Sequence, residues 1–243
     1  MKQNKYDDKT FFDKYSKMDR SVKGLAGAGE WKTLEAMLPC FTDQRVLDLG
    51  CGFGWHCQYA IEHGAKSVTG VDLSENMINV AREKTDKRIE YIHSSIEDII
   101  YEENSFDIVI SSLAFHYIES FEMLVAKVHG CLVQGGEFVF SVEHPIFTAQ
   151  GDQSWYYDEA GNILHFPVDN YFYEGERNTT FLEEKVVKYH KTLTTYLNGL
   201  ISGGFELTGI VEPQPSEELL QTVPGMGDEL RRPMMLIISA KRK

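Results

Sequence analysis

The chain has 243 residues, 42% of them hydrophobic and 25% charged, with a formal net charge of −13. Such a length holds one large domain or two small ones and buries a substantial core. The acidic balance argues against a nucleic-acid backbone as main partner, because such binders need a basic face and VVKYHK is the only mild basic patch before the KRK tail, and no apolar run approaches the ~20 residues of a membrane span. The opening MKQNKYDDKTFFDKY lacks the apolar centre of a secretory signal. Cys40, Cys51, Cys57 and Cys131 form no Cys-x-x-Cys pair. The expectation is a cytoplasmic protein with reduced thiols and no zinc site.

Residues 1–30 are polar with interleaved aromatics and end in the glycine-rich SVKGLAGAGE, predicting one or two short helices and a mobile connector. A short helix over 30–38 must stop before Pro39. From residue 45 the rhythm changes. RVLDLG predicts a strand, WHCQYAIEHG a helix stopped by Gly64, SVTGVDL a second strand, and SENMINVAREKTD a helix with Ser74 as N-cap. IEYIHSS and SFDIVISSL predict the third and fourth strands, FEMLVAKVHGCL a helix, and GGEFVFSVE the fifth strand. Strands alternating with helices at this spacing predict a parallel sheet with right-handed crossovers. After His144-Pro145 the alternation stops. Residues 146–190 predict an irregular insertion with a small hairpin, ending in the strand-like FLEEKVVKYH. TLTTYLNGLISGG restores a helix, and FELTGIVEP and PMMLIISAKR predict two final strands around a long loop. No linker sets the insertion apart, so the expectation is one domain, 1–243, with an embedded cap.

The stretch VLDLGCGFGWH runs from a strand into Gly50, Gly52 and Gly54. Glycine belongs where backbone approaches a ligand or takes a positive φ, and a strand–glycine turn–helix sequence presents amides to a nucleotide. Asp72 closes the second strand, where an acid can accept both hydroxyls of a ribose. Asp48, two residues before Gly50, suits a ligand bearing an ammonium group, directly or through water. The turn carries no lysine, which excludes a triphosphate loop.

VLDLGCGFG, GVDLSENMINVAR, HSSIEDI, SFDIVISSLAFHYI and GGEFVF, in this order and spacing over about residues 45–140, together resemble a class I S-adenosylmethionine-dependent methyltransferase. The chain is most similar to the small-molecule branch that includes ubiquinone/menaquinone-biosynthesis methyltransferases. The resemblance implies a Rossmann-like, mostly parallel sheet of seven strands with helices on both faces and the last strand antiparallel. It also implies S-adenosylmethionine as cofactor. Asp48, Gly50, Gly52 and Gly54 match the motif around its methionine part, with Cys51 between the glycines. Asp72 matches the ribose acid, and Leu73 and Met77 lie beside the adenine. Ser95 and Ile96 match the adenine pair, with serine where the family usually has Asp or Asn. Ser111, Ser112 and Leu113 match the segment below the sulfonium.

Methyl transfer is an in-line displacement with a neutral leaving group, so collinear positioning matters most and a base is optional. His116 follows the fourth strand, His144 the fifth, and His190 closes the segment 181–190. Carboxyl ends of parallel strands face ligands in such sheets, which makes all three candidates for a catalytic base, His144 and His190 foremost. No metal-ligand spacing is present. Seven aromatics between Trp155 and Tyr173 suggest the wall of a pocket for an apolar or aromatic small-molecule acceptor. Tyr15 and Trp31 are candidates for a lid formed by residues 1–40 over the cofactor. Two other readings stay open. One is a non-catalytic S-adenosylmethionine-binding regulatory or scaffold protein. The other is a nicotinamide-dependent reductase, which predicts a Gly-x-Gly-x-x-Gly turn and a Tyr-x-x-x-Lys pair.

Overall fold

The computed structural model describes residues 3–243. Helices α1 (Lys9–Tyr15), α2 (Asp19–Val22) and α3 (Trp31–Met37) precede an alternating run. That run is β1 (Arg45–Leu49), α4 (Trp55–Glu62), β2 (Ser67–Asp72), α5 (Glu75–Lys84), β3 (Glu90–His93), β4 (Phe106–Ser112), α6 (Phe121–Cys131) and β5 (Leu132–Glu143). Next come α7 (Pro145–Ala149) and two hairpins, β6 (Tyr156–Tyr157) with β7 (Ile163–His165) and β8 (Gly175–Phe181) with β9 (Glu184–His190). The chain closes with α8 (Leu193–Ser202), β10 (Phe205–Val211), α9 (Glu217–Thr222) and β11 (Met235–Arg242).

The main sheet has the order β10-β11-β5-β4-β1-β2-β3. Strands β1 to β5 pair in parallel and β11 runs antiparallel to both neighbours. Strand residues alternate between faces, and the apolar runs expected of a sheet covered on both sides follow. Leu47, Leu49, Val109, Phe138 and Phe140 pack on one side with Tyr196 and Leu200 of α8. Val46, Ile108 and Ile110 pack on the other with Ala60 and Ala81 from α4 and α5. Each fully buried ring or branched chain contributes roughly 1.5–3 kcal/mol. Ser74 caps α5 as its sequence predicts, accepting a hydrogen bond from Met77 N at 3.1 Å.

Three differences from the sequence expectation matter. Strand β5 begins at Leu132, earlier than 135, so GG lies inside it. The segment 181–190 is not one strand, because Leu182 (φ 52°) and Glu183 (φ 63°) form a two-residue turn between β8 and β9. Residues 212–234 are not a plain loop, since they contain α9 and a 3-10 turn at Met226–Arg231. Arg232 from this segment lies 4.7 to 4.9 Å from the rings of Phe147, Trp155 and Phe166. That contact pins the insertion to the last connection.

Residues 3–15 lie across the carboxyl ends of the strands as a strap. Asp7 accepts from Ser74 Oγ at 2.6 Å and from Asn76 N at 3.1 Å, anchoring the strap to the start of α5. Asn4 donates to Leu73 O at 3.1 Å. On the far side Val187 N donates to Gln3 Oε1 at 2.8 Å, and Lys14 Nζ donates to Leu182 O at 3.1 Å.

Candidate active site

The strand order reverses between β1 and β4, so the crossovers leaving them go opposite ways and a crevice opens at their carboxyl ends. A cavity of about 660 Å³ fills it, roofed by the strap. At one end lie Gly50, Cys51 and Gly52, then Asp72, Leu73 and Met77, then Ser95 and Ile96. Asp72 Oδ2 accepts from Gly52 N at 2.9 Å and Oδ1 from Ser74 N at 2.8 Å. Burial raises the Asp72 carboxyl, and these two amides partly offset that. Each oxygen keeps a further lone pair for a ligand.

The glycines do different jobs. A Cβ built on Gly52 (φ +53°) meets nothing within 4 Å, so its backbone faces open space. A Cβ on Gly54 (φ +76°) would strike Tyr91 Oη at 2.1 Å, so this glycine seats α4 against β3. Asp48 does not line the cavity. It lies on the α4 side of the sheet, takes the Cys57 thiol at 3.3 Å, and is 1% exposed. Burial pushes its carboxyl up to about 7. Cys51 does line the cavity, but burial raises its thiol well above the ordinary range, so it is no thiolate nucleophile.

At the end of β4, Ser112 and Leu113 line the cavity, whereas Ser111 turns inward and donates to Leu49 O at 2.6 Å. Leu113 holds φ 53°, a strained backbone at the wall of the site.

The other end is built by the turn after β4, the end of β5 and strand β9, which place His116, Tyr117, Glu143 and Lys188 on one wall. Lys188 Nζ lies 2.6 Å from Glu143 Oε1, and Gln153 bridges both side chains. Burial lowers the His116 imidazole to about 4, leaving it neutral at pH 7. Its Nδ1 accepts from Glu143 N at 3.5 Å, which places the ring proton on Nε2. The strap adds Tyr6 and Tyr15, and the Tyr6 and Tyr117 hydroxyls are 3.3 Å apart.

Of the three expected histidines only His116 lines the cavity. His144 caps α7 and sets Nε2 2.9 Å from Glu212 Oε1 on the outer side. His190 spends both ring nitrogens within the fold, on Thr148 Oγ1 at 2.8 Å and Tyr171 O at 2.9 Å. None of the seven aromatics between Trp155 and Tyr173 lines the cavity either. Trp155 and Phe166 hold Arg232, Tyr171 packs on His190, and Tyr156, Tyr157, Phe172 and Tyr173 are exposed. Of the two lid candidates, Tyr15 lines the cavity, while Trp31 packs on Tyr59 at 4.8 Å.

Sequence reasoning missed Arg20, Trp55, Glu143 and Lys188. Arg20 lines the cavity and is held 2.8 Å from the buried Glu30. Trp55, the first residue of α4, lines the same space and has an unpartnered indole N–H. Glu143 had a readable signal, an acid at the carboxyl end of the fifth strand. Arg20 and Lys188 had none, because their approach depends on how the strap and β9 fold back.

The cavity's chemistry fits S-adenosylmethionine: open backbone at Gly52, a carboxylate with spare lone pairs at Asp72, and apolar Met77 and Ile96 beside it. A methyltransferase-domain family profile matches residues 47–140. An uncharacterized protein of Haemophilus influenzae is 34% identical over 98% of this chain and 96% of its own length. A tRNA U34 carboxymethyltransferase of Methylococcus capsulatus is 29% identical over 192 residues, and this chain spans 52% of its length. Among solved structures, an S-adenosylmethionine-dependent methyltransferase of Mesorhizobium loti superposes with a TM-score of 0.84 at 44% identity, over 90% of this chain and 100% of that one. A Listeria monocytogenes protein assigned to the same family reaches 0.86 at 54% identity, over 90% and 99%. With the seven-stranded order and these full-length likenesses, the chain belongs to the class I S-adenosylmethionine-dependent methyltransferases.

Proposed function

We propose that this protein transfers a methyl group to a small organic acceptor, at oxygen, nitrogen or carbon, inside the roofed cavity. One observation carries the reading: a single cavity joins the Gly52–Asp72 corner to the His116–Glu143–Lys188 wall. Its volume of about 660 Å³ falls within the ~300–1,000 Å³ of small-molecule sites. A macromolecular acceptor would need an open groove instead.

When bound, the cofactor supplies a methyl carbon on a sulfonium whose leaving group is a neutral thioether. Asp72 takes the ribose hydroxyls, and Leu73, Met77, Ser95 and Ile96 enclose the adenine. The Gly50–Gly52 backbone and Arg20 hold the methionine end. Asp48 acts on its ammonium only across the glycine loop, by charge or through a water. Tyr15 and Leu113 close around the sulfonium, and aromatic faces stabilise a cation there. His116 presents its Nε2–H to the acceptor as a positioning donor. His144 and His190 act from outside the cavity, by holding α7 and β9 in place. The strap within residues 1–40 and hairpin β8–β9 within 146–190 exclude water, all as parts of one domain. Aromatic walls from Tyr6, Phe53 and Tyr117 suit an apolar or aromatic acceptor.

The test is a metabolite extract incubated with purified protein and isotopically labelled S-adenosylmethionine, with mass spectrometry of the products. A labelled small molecule is expected. Binding of the cofactor with label appearing only in protein or RNA would overturn the reading.

A further inference from the structure

The charge arrangement of the cavity narrows the acceptor. Among the described lining residues, three carry fixed positive charge, and each is already beside a carboxylate: Lys5 with Glu184 at 3.8 Å, Arg20 with Glu30 at 2.8 Å, and Lys188 with Glu143 at 2.6 Å. Only Lys188 stands on the acceptor wall, 3% exposed, and separating it from Glu143 would strand two buried charges. Among the described lining residues, a phosphate or carboxylate on the acceptor would therefore have to compete with the carboxylate already seated on Lys188, the cation of its wall. Glu143, by contrast, uses one lone pair on each oxygen, for Lys188 and Gln153, and keeps acceptor capacity toward the cavity. Tyr6 and Tyr117 set phenol oxygens and aromatic faces on the same space.

We propose that the acceptor is a small amine without phosphate or carboxylate groups, held by an N–H hydrogen bond to Glu143, and that the protein is an N-methyltransferase. This rests on the methyltransferase reading of the cavity. The Tyr6 and Tyr117 rings, with Glu119 and Glu176 adding carboxylates to the lining beyond the Glu143–Lys188 pair, stabilise the positive charge that develops on nitrogen during transfer and disfavour the negative charge an alkoxide or enolate would bring. Lys188 offsets the Glu143 charge, so the donor is the uncharged amine, whose lone pair is the nucleophile. That lone pair forms the N–C bond as the C–S bond breaks. The C–S electron pair stays on sulfur, and the product leaves as the methylated ammonium ion.

The test uses the full chain saturated with S-adenosylhomocysteine, whose binding is measured first by calorimetry. Benzylamine, phenylacetate and phenyl phosphate are then titrated in at a pH near the amine's own pKa, where a large share of it is uncharged. Benzylamine is expected to bind at least about tenfold more tightly than either anion, and Glu143→Gln to weaken it roughly ten- to a hundredfold, the worth of a hydrogen bond to a charged group. Affinity for S-adenosylhomocysteine should not change. The uncharged double variant Glu143→Gln/Lys188→Gln should show the same loss, which separates recognition from a folding defect. Anions binding as well as benzylamine, no amine binding, or amine binding indifferent to both variants overturns the proposal. Failure of S-adenosylhomocysteine to bind the unmodified protein would instead bring down the cofactor reading beneath it.

Discussion

Asp48 shows how position decides what a carboxylate does. Buried beneath α4 and raised to about 7, it is protonated in the folded protein between about pH 4 and 7, where the unfolded chain has already ionised it. Its contribution to stability is therefore lost as pH rises through that window. Asp48→Asn should flatten this decline, recovering roughly 2–4 kcal/mol at pH 7 in denaturant titrations. A cationic ligand across the glycine loop would pull the proton off. Cofactor binding at pH 7 should then release about half a proton, read from calorimetry in buffers of different ionisation enthalpy; the Asn variant should release none. Asp72→Ala should weaken cofactor binding by roughly 1.5–3 kcal/mol, and unchanged affinity would remove it from the site. His116→Ala should lower turnover on the true acceptor and leave cofactor affinity intact. The neutral ring should also leave no titration near its ordinary pKa in the rate profile.

At the scale of elements, the alternating run from β1 to β5 was legible because each strand is a short apolar stretch with glycine, Ser74 or proline punctuation. The glycine loop and Asp72 were legible for the same reason: their chemistry is local. The hairpin β8–β9 was not, because Leu182-Glu183 gives none of the Asn-Gly signal its turn demands. Lys14 compensates by bonding that turn from the strap. The double substitution Leu182→Asn/Glu183→Gly should relieve the left-handed strain and raise Tm by about 2–4 °C. A fall in Tm would mean that the Lys14 contact outweighs the strain. At the end of β5 the residue that lines the cavity stands one position before the histidine expected there. The carboxyl end of β5 pointed to His144, but neighbours on a strand face opposite ways, and Glu143 takes the cavity side. The aromatic run 155–173 misled for another reason: its rings serve Arg232, His190 and solvent, while β9 supplies the wall.

For the molecule as a whole, the strap joins the Asp72 end of the cavity to the β8–β9 side through a few hydrogen bonds at each bank. Asp7→Ala removes the anchor at Ser74 and Asn76 and also an N-terminal cap of α5. It should weaken S-adenosylhomocysteine binding several-fold and increase amide exchange over residues 3–15. Equal protection in both proteins would mean that the strap is held from the hairpin side alone.

A stretch of chain sewn at Leu73 on one bank and Val187 on the other roofs the cavity, so a reactant that enters on that side must first unfasten those bonds. Loosened stitches would let product escape sooner and let water in.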